Sequence, residues 1–127
     1  MTSFGQHLIN MYPRLFRNIH RSMVSVPHGW RGIILEMLEG LSPYLANNKD
    51  MRILQIKRKF GGLRVYHEGF CDMCWATVEY ALDMANATCA VCGSRKSVHL
   101  REVDGWLTTS CKSCYERVVP SPTSNQE

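Results

Sequence analysis

The sequence predicts an α+β fold in which N-terminal helices pack on a β-hairpin, followed by a helix and a small cysteine-rich module. Three observations lead to this prediction. Apolar residues recur at helical spacing up to residue 45, residue type alternates between residues 51 and 66, and Cys-x-x-Cys pairs follow. The chain has 127 residues, of which 45% are hydrophobic and 20% charged, so its composition is that of a globular domain rather than of a disordered or coiled-coil protein.

The cysteines are expected to be reduced. No apolar run approaches the roughly 18 residues of a membrane-spanning helix, and the first residues lack the basic and apolar segments of a secretory signal. We therefore expect a cytoplasmic protein without membrane contact. In that reducing compartment, cysteines are metal ligands or free thiols more often than disulfides.

The N-terminal part is predicted to be helical. Ser3 and Gln6 have the spacing of a capping box, which would begin a helix over residues 4–11. Pro13 can occupy the first position of a second helix. The apolar residues of that second helix would be Leu15, Phe16, Ile19 and Met23. The clearest amphipathic pattern begins after Gly29 and comprises Trp30, Ile33, Ile34, Met37, Leu38 and Leu41.

Alternation of residue type predicts a β-hairpin over residues 51–66. Gly61 and Gly62 are expected to adopt the positive φ angles of its tight turn. Residues 49–67 hold six basic residues and one acid, a local charge of +5. Charge and aromatic rings together predict a surface for a partner or for nucleic acid, made of Lys57, Arg58, Lys59, Phe60, Arg64 and Tyr66. The alternative is a solvated strand face, with Phe60 in the corner of the hairpin.

A further helix is expected to begin at Asp72, whose side chain can cap it. The apolar face of this helix is predicted to consist of Trp75, Val78, Leu82 and Ala85. The three tryptophans of the chain, Trp30, Trp75 and Trp106, are all expected to pack in the core.

Two Cys-x-x-Cys pairs in the C-terminal part predict a metal site. Cys89 and Cys92 precede Gly93, which suits a tight turn, and 18 residues separate Cys92 from the second pair, Cys111 and Cys114. A second hairpin is predicted around Asp104-Gly105, and the second pair would open a helix. This is the order of a treble-clef or zinc-ribbon-like module, so we predict one structural zinc ion per chain, held by Cys89, Cys92, Cys111 and Cys114.

A third pair, Cys71 and Cys74, leaves two interpretations open. It can bind a second metal with His67 or His99, or it can remain as free thiols, with Cys74 in the core and Cys71 near the helix cap. The predicted organisation is then a helical and β-hairpin region at residues 1–87, a zinc-binding module at 88–119 and a disordered tail at 120–127.

Several separated motifs resemble one protein family. They are Gly29-Trp30, QIKRKFGGLRVY at residues 55–66, TCAVCG at 88–93 and GWLTTSC at 105–111. In this order they resemble a family of small zinc-binding proteins from bacteriophages, prophages and bacteria, with a KFGxLRxY hairpin and a CxxCG…GWxxTxC module. Members often carry histidine near the position of Cys114, which zinc also accepts. The resemblance covers about residues 29–114 and implies a phage or mobile-element origin and bound zinc. It supplies no activity.

The expected function is binding rather than catalysis. Four thiolates fill the coordination shell of a zinc ion and leave no position for an activated water. The chain has no phosphate-binding or dinucleotide fingerprint. Its histidines are scattered, without a paired carboxylate or nucleophile: His7, His20, His28, His67 and His99.

Two binding hypotheses follow. The resemblance to phage proteins implies a bacterial host protein or nucleoprotein complex as the partner, so the chain would act in the host cytoplasm, for example by inhibiting a defence system such as CRISPR. The basic hairpin at residues 57–66 favours DNA or RNA instead. An enzyme is the third alternative, and the pattern leaves the oligomeric state open.

Overall fold

The first helix follows the prediction closely. The structure, a computed structural model, describes residues 3–118, and helix α1 spans Phe4–Met11. The Ser3 hydroxyl accepts a hydrogen bond from the Gln6 amide at 3.1 Å. The Gln6 side chain donates to Asn10 at 2.9 Å rather than returning to the Ser3 backbone, so one half of the predicted capping box forms.

The predicted second helix, by contrast, is wrong. Residues 13–23 form a turn and then a 3₁₀ helix at Arg21–Met23, and Asn18 has a φ angle of 62°, which a continuing α-helix does not allow. The side chain of Arg17 holds the turn through distant carbonyls. Its guanidinium donates to the backbone oxygens of Arg14, Lys49 and Met51. Leu15 is nevertheless fully buried, and its carbonyl accepts a hydrogen bond from the Ile53 amide at 2.7 Å.

The main core lies between two helices and a hairpin. Helix α2 is Arg31–Leu41, strands β1 and β2 are Arg52–Lys59 and Gly62–Glu68, and helix α3 is Asp72–Asn86. The strands pair antiparallel and form a sheet of two strands. The predicted α2 stripe is confirmed, because its apolar residues are buried: Ile33, Ile34, Met37, Leu38 and Leu41. The α+β fold class is therefore confirmed.

Helix α3 buries Val78 and Ala85 of the predicted apolar face, but not Trp75. Trp75 is 51% exposed, and the buried residues of the helix are Cys74, Val78, Ala81 and Ala85. Cys71, not Asp72, is the N-cap. Small side chains thus face the core, while the Trp75 ring lies edge-on to the His67 ring, with centroids 4.5 Å apart. The expectation that Trp75 packs in the core is wrong.

The turn of the first hairpin lies one residue earlier than predicted. Lys59 pairs with Gly62, and the residues with positive φ are Phe60 (53°) and Gly61 (79°). Gly62 is the first residue of β2. A Cβ atom on Gly61 would overlap the Leu100 side chain, so the turn is in close contact with the second hairpin.

The C-terminal module has the predicted order of elements. Strands β3 (Val98–Val103) and β4 (Trp106–Cys111) form a second antiparallel pair around Asp104-Gly105, and helix α4 (Lys112–Val118) follows. The tail predicted at residues 120–127 lies outside the described residues.

Hydrogen bonds to backbone carbonyls join the module to the main core. The Gly29 amide donates to the Ala90 carbonyl at 2.8 Å, and the indole nitrogen of Trp30 donates to the Thr88 carbonyl at 2.8 Å. On the other side, the buried Thr109 hydroxyl donates to the Gly61 carbonyl at 2.7 Å. The predicted burial of Trp30 is confirmed, and its ring is fully inaccessible.

We expect Gly29→Ala to destabilise the protein by about 2–3 kcal/mol, the range of overpacked sites with rigid neighbours. The added Cβ would overlap the Cys89 carbonyl oxygen and lie 2.7 Å from the Gly93 nitrogen. Gly32→Ala is the matched control, because a Cβ there meets nothing within 4 Å. In the helix it should add about 0.5–1 kcal/mol of stability. Urea unfolding of the metal-loaded variants measures both changes, and equal stability of the two would contradict this packing.

Candidate metal centre

Four cysteine sulfurs lie together at the base of the second hairpin. All distances among the Sγ atoms of Cys89, Cys92, Cys111 and Cys114 are within 4.8 Å, and the one between Cys92 and Cys111 is 3.7 Å. Tetrahedral zinc with bonds of about 2.3 Å to sulfur places its ligands about 3.8 Å apart. The cluster that the sequence predicted is therefore formed, and its size is compatible with one metal ion such as zinc.

Backbone amides point at two of these sulfurs. The amides of Val91 and Cys92 donate to the Cys89 sulfur at 3.4 and 3.5 Å, and the Cys114 amide donates to the Cys111 sulfur at 3.4 Å. Such bonds stabilise thiolates and orient them toward a shared cation. The turn closes through Gly93, whose φ angle of 85° agrees with its predicted role.

The protonation of the cluster is uneven. Burial works to raise the pKa of Cys89, but the backbone amides of Cys111, Cys92 and Val91 outweigh it and lower that pKa to about 6. Burial, and then hydrogen bonding to the other thiols, raises the pKa of Cys114 to about 12. A bound cation lowers the pKa of Cys114 again, because it favours the ionised form of every ligand. The chemistry of the donor set thus fits a divalent metal.

The module has few apolar contacts around the cysteine cluster that could stabilise it. Its buried cluster consists of Cys89, Cys111 and Cys114, and Val98 is the only hydrophobic side chain packed against them among residues 3–118. A hydrophobic core this small cannot offset the entropy of ordering two strands and a helix. We therefore expect metal coordination at the four cysteines to supply the missing stabilisation.

The third cysteine pair stands apart from this cluster. Cys71 and Cys74 lie at the start of α3, and within residues 3–118 they are not part of any group of three or more metal-ligand side chains. The His67 ring stacks on Phe70 with centroids 4.0 Å apart instead of turning to the thiols as a ligand. Cys74 is fully buried, as expected for a core thiol.

The predicted basic surface is divided between two faces of the first hairpin. Lys57 pairs with Arg64 on the outer face, and the Lys57 ammonium lies 5.8 Å from the centre of the Tyr66 ring on the same face. Arg58 pairs with buried Leu63 and so lies on the inner side. The six residues therefore do not form one continuous surface.

A groove between the tips of the two hairpins brings Arg58, Lys59 and Phe60 together with Trp106, which was predicted to lie in the core. We call it the tip groove, and it is lined by Arg58, Lys59, Phe60, Gly61, Gly105, Trp106 and Leu107. Its volume is about 410 Å³. Trp106 is 76% exposed, so its predicted burial is wrong. Its place directly after the Asp104-Gly105 turn is the signal that could have indicated an exposed position.

Comparisons of the chain with protein-family models, curated proteins and solved structures gave no match. Within residues 3–118, no helix combines the length and the apolar character needed to cross a membrane.

We expect Cys111→Ser to abolish the binding of one equivalent of metal and to unfold the second hairpin. The binding free energy of structural zinc in small modules is about 10–16 kcal/mol, and it contributes directly to folding. Cys71→Ser is the matched control, because serine is a good N-cap residue and Cys71 lies outside the cluster. Elemental analysis measures the metal, and amide exchange in β3 and β4 measures the fold. A folded, metal-free Cys111→Ser protein would contradict a structural site.

Proposed function

We propose that this chain is a non-enzymatic binding protein, in which one zinc ion in the Cys89/Cys92/Cys111/Cys114 cluster is structural and the tip groove binds single-stranded nucleic acid. A zinc ion with four thiolates has no open position for substrate or water, which supports a structural role. Three of the four ligands are buried, which also keeps substrates away.

The position of two aromatic rings carries the proposal. Phe60 lies on the turn of the first hairpin and Trp106 directly after the turn of the second, and they are 72% and 76% exposed. Both line the tip groove, together with the cations Arg58 and Lys59. Exposed aromatic rings beside cations are the elements with which proteins bind single strands, because bases stack on the rings and phosphates pair with the charges.

The backbone conformation of Phe60 supports a role in binding rather than in stabilising the fold. A bulky residue with a φ angle of 53° is strained, typically by about 1–2 kcal/mol, and its ring gains little burial in return. The Lys59 ammonium lies 5.5 Å from the centre of this ring. Strain without burial is typical of a side chain that is positioned for a ligand.

Phe60→Asn should separate binding from stability. Asn-Gly is the preferred type I′ turn, so the variant should be about 0.5–1 kcal/mol more stable than the parent. Loss of one stacking ring should weaken binding of a short single-stranded oligonucleotide about 5- to 150-fold. Tyr80→Ala is the control, because Tyr80 is an equally exposed aromatic residue on α3 outside the groove. Fluorescence anisotropy and urea unfolding are the measurements, and unchanged affinity in Phe60→Asn would refute the groove as the binding site.

The charges of the groove should appear in the salt dependence of binding. Each phosphate contact contributes about 0.7 to the slope of log affinity against log salt for single strands. Arg58→Gln should lower the slope by about that amount. Lys57→Gln, on the outer face, should leave it unchanged. If both variants lower the slope equally, the outer face also contacts the strand.

A host protein is the second candidate partner, and one observation favours it. Leu100 and Val91 are 57% and 49% exposed, and they lie beside Gly61 and Trp106, so apolar surface continues from the tip groove. Such a patch with Trp and Arg is typical of protein interfaces. The resemblance to phage proteins makes a bacterial protein, such as a defence component, the expected partner. Absence of oligonucleotide binding, with a host protein retained by the parent and lost in Trp106→Ala, would favour this candidate.

A further inference from the structure

The remaining cysteine pair has the geometry of a reactive dithiol. Cys71 is the N-cap of α3, and Cys74 lies in the first turn of that 15-residue helix. Their sulfurs are 3.4 Å apart. A disulfide bond of about 2.05 Å would require the sulfurs to approach by about 1.4 Å.

The two thiols occupy different environments. Cys71 is partly exposed, whereas Cys74 is fully buried and its sulfur lies 3.9 Å from the Met51 sulfur. The backbone amide of Cys74, and then its thiol, lower the pKa of Cys71. Burial, and then the contact with Cys71, raises the pKa of Cys74 to about 11. An accessible thiolate at a helix N-terminus beside a shielded thiol is the arrangement of an attacking and a resolving cysteine.

Alternative uses of the pair are less consistent with its surroundings. In the part of the chain that the structure describes, the two sulfurs belong to no group of three or more metal ligands. A cap role alone needs only one polar side chain at position 71, and serine or aspartate serves better than cysteine. Neither use accounts for a second thiol held in contact with the first.

We propose that Cys71 and Cys74 form a redox site that exchanges with small-molecule disulfides, Cys71 being the attacking and Cys74 the resolving thiol. The Cys71 thiolate attacks one sulfur of the disulfide, whose S–S bond breaks and releases one thiolate, leaving a mixed disulfide on Cys71. Cys74 then loses its proton to water and attacks the Cys71 sulfur, which expels the second small thiol. In total the protein loses two protons and two electrons, and the small disulfide gains them and becomes two thiols.

Oxidised glutathione is the probe for the test, applied to the full zinc-loaded chain. We expect the intact protein to lose two hydrogen atoms, peptide mapping to find the bond between Cys71 and Cys74, and the metal content to stay at one ion per chain. Dithiothreitol should restore the starting mass. A second bound zinc ion that protects the pair, or a disulfide that includes a cysteine of the metal cluster, would overturn the proposal.

Two variants distinguish the roles of the thiols. Cys74→Ala should accumulate a mixed glutathione disulfide at Cys71, because the resolving thiol is missing. Cys71→Ser should form no adduct at Cys74, because that sulfur is buried. Since a change at Cys74 can impair folding, the parent protein supplies an independent readout. Iodoacetamide should label Cys71 about tenfold or more faster than Cys74 in the native state. Equal labelling rates, or an adduct on Cys74 in Cys71→Ser, would overturn the assignment.

Discussion

We propose that the attraction between one cation and four thiolates is the interaction on which the C-terminal module depends. Two short strands and a seven-residue helix enclose a cluster in which Val98 is the only hydrophobic side chain packed against the cysteines among residues 3–118. Without a cation the cluster resists full ionisation, because burial holds the pKa of Cys114 at about 12. We therefore expect metal binding to supply both the cohesion of the module and the charge state of its ligands.

The cysteine cluster also helps to position the two hairpins, whose tips form the tip groove. The turn that carries Cys89 accepts the Gly29 amide through Ala90, and β4 reaches the first hairpin through the bond from Thr109 to Gly61. Both contacts end on backbone carbonyls, and the second is donated by a buried hydroxyl, so they hold the two hairpins in a defined relation. The tip groove exists because both hairpins are held in this way. We therefore expect the proposed binding at Phe60 and Trp106 to depend on the metal, although neither side chain is a ligand.

Local patterns in the sequence predicted the fold class, α2, both hairpins and the four clustered cysteines, because periodicity and ligand spacing are properties of short segments. What they missed depends on distant contacts. Residues 13–23 do not form an α-helix, and there Arg17 binds carbonyls more than 30 residues away. The buried face of α3 is set by close packing, which selects Ala81 over Trp75. The exposure of Trp106 follows from the arrangement of two hairpins that are separate in sequence.

X-ray absorption spectroscopy at the zinc edge, on protein purified without chelator, tests the central claim most directly. We expect a single shell of four sulfur atoms at about 2.3 Å, with no nitrogen or oxygen in the first coordination sphere. A light-atom ligand in that shell would contradict it, because an open or water-bound position would restore the possibility of catalysis at the metal. Absence of zinc from the folded protein would contradict it entirely.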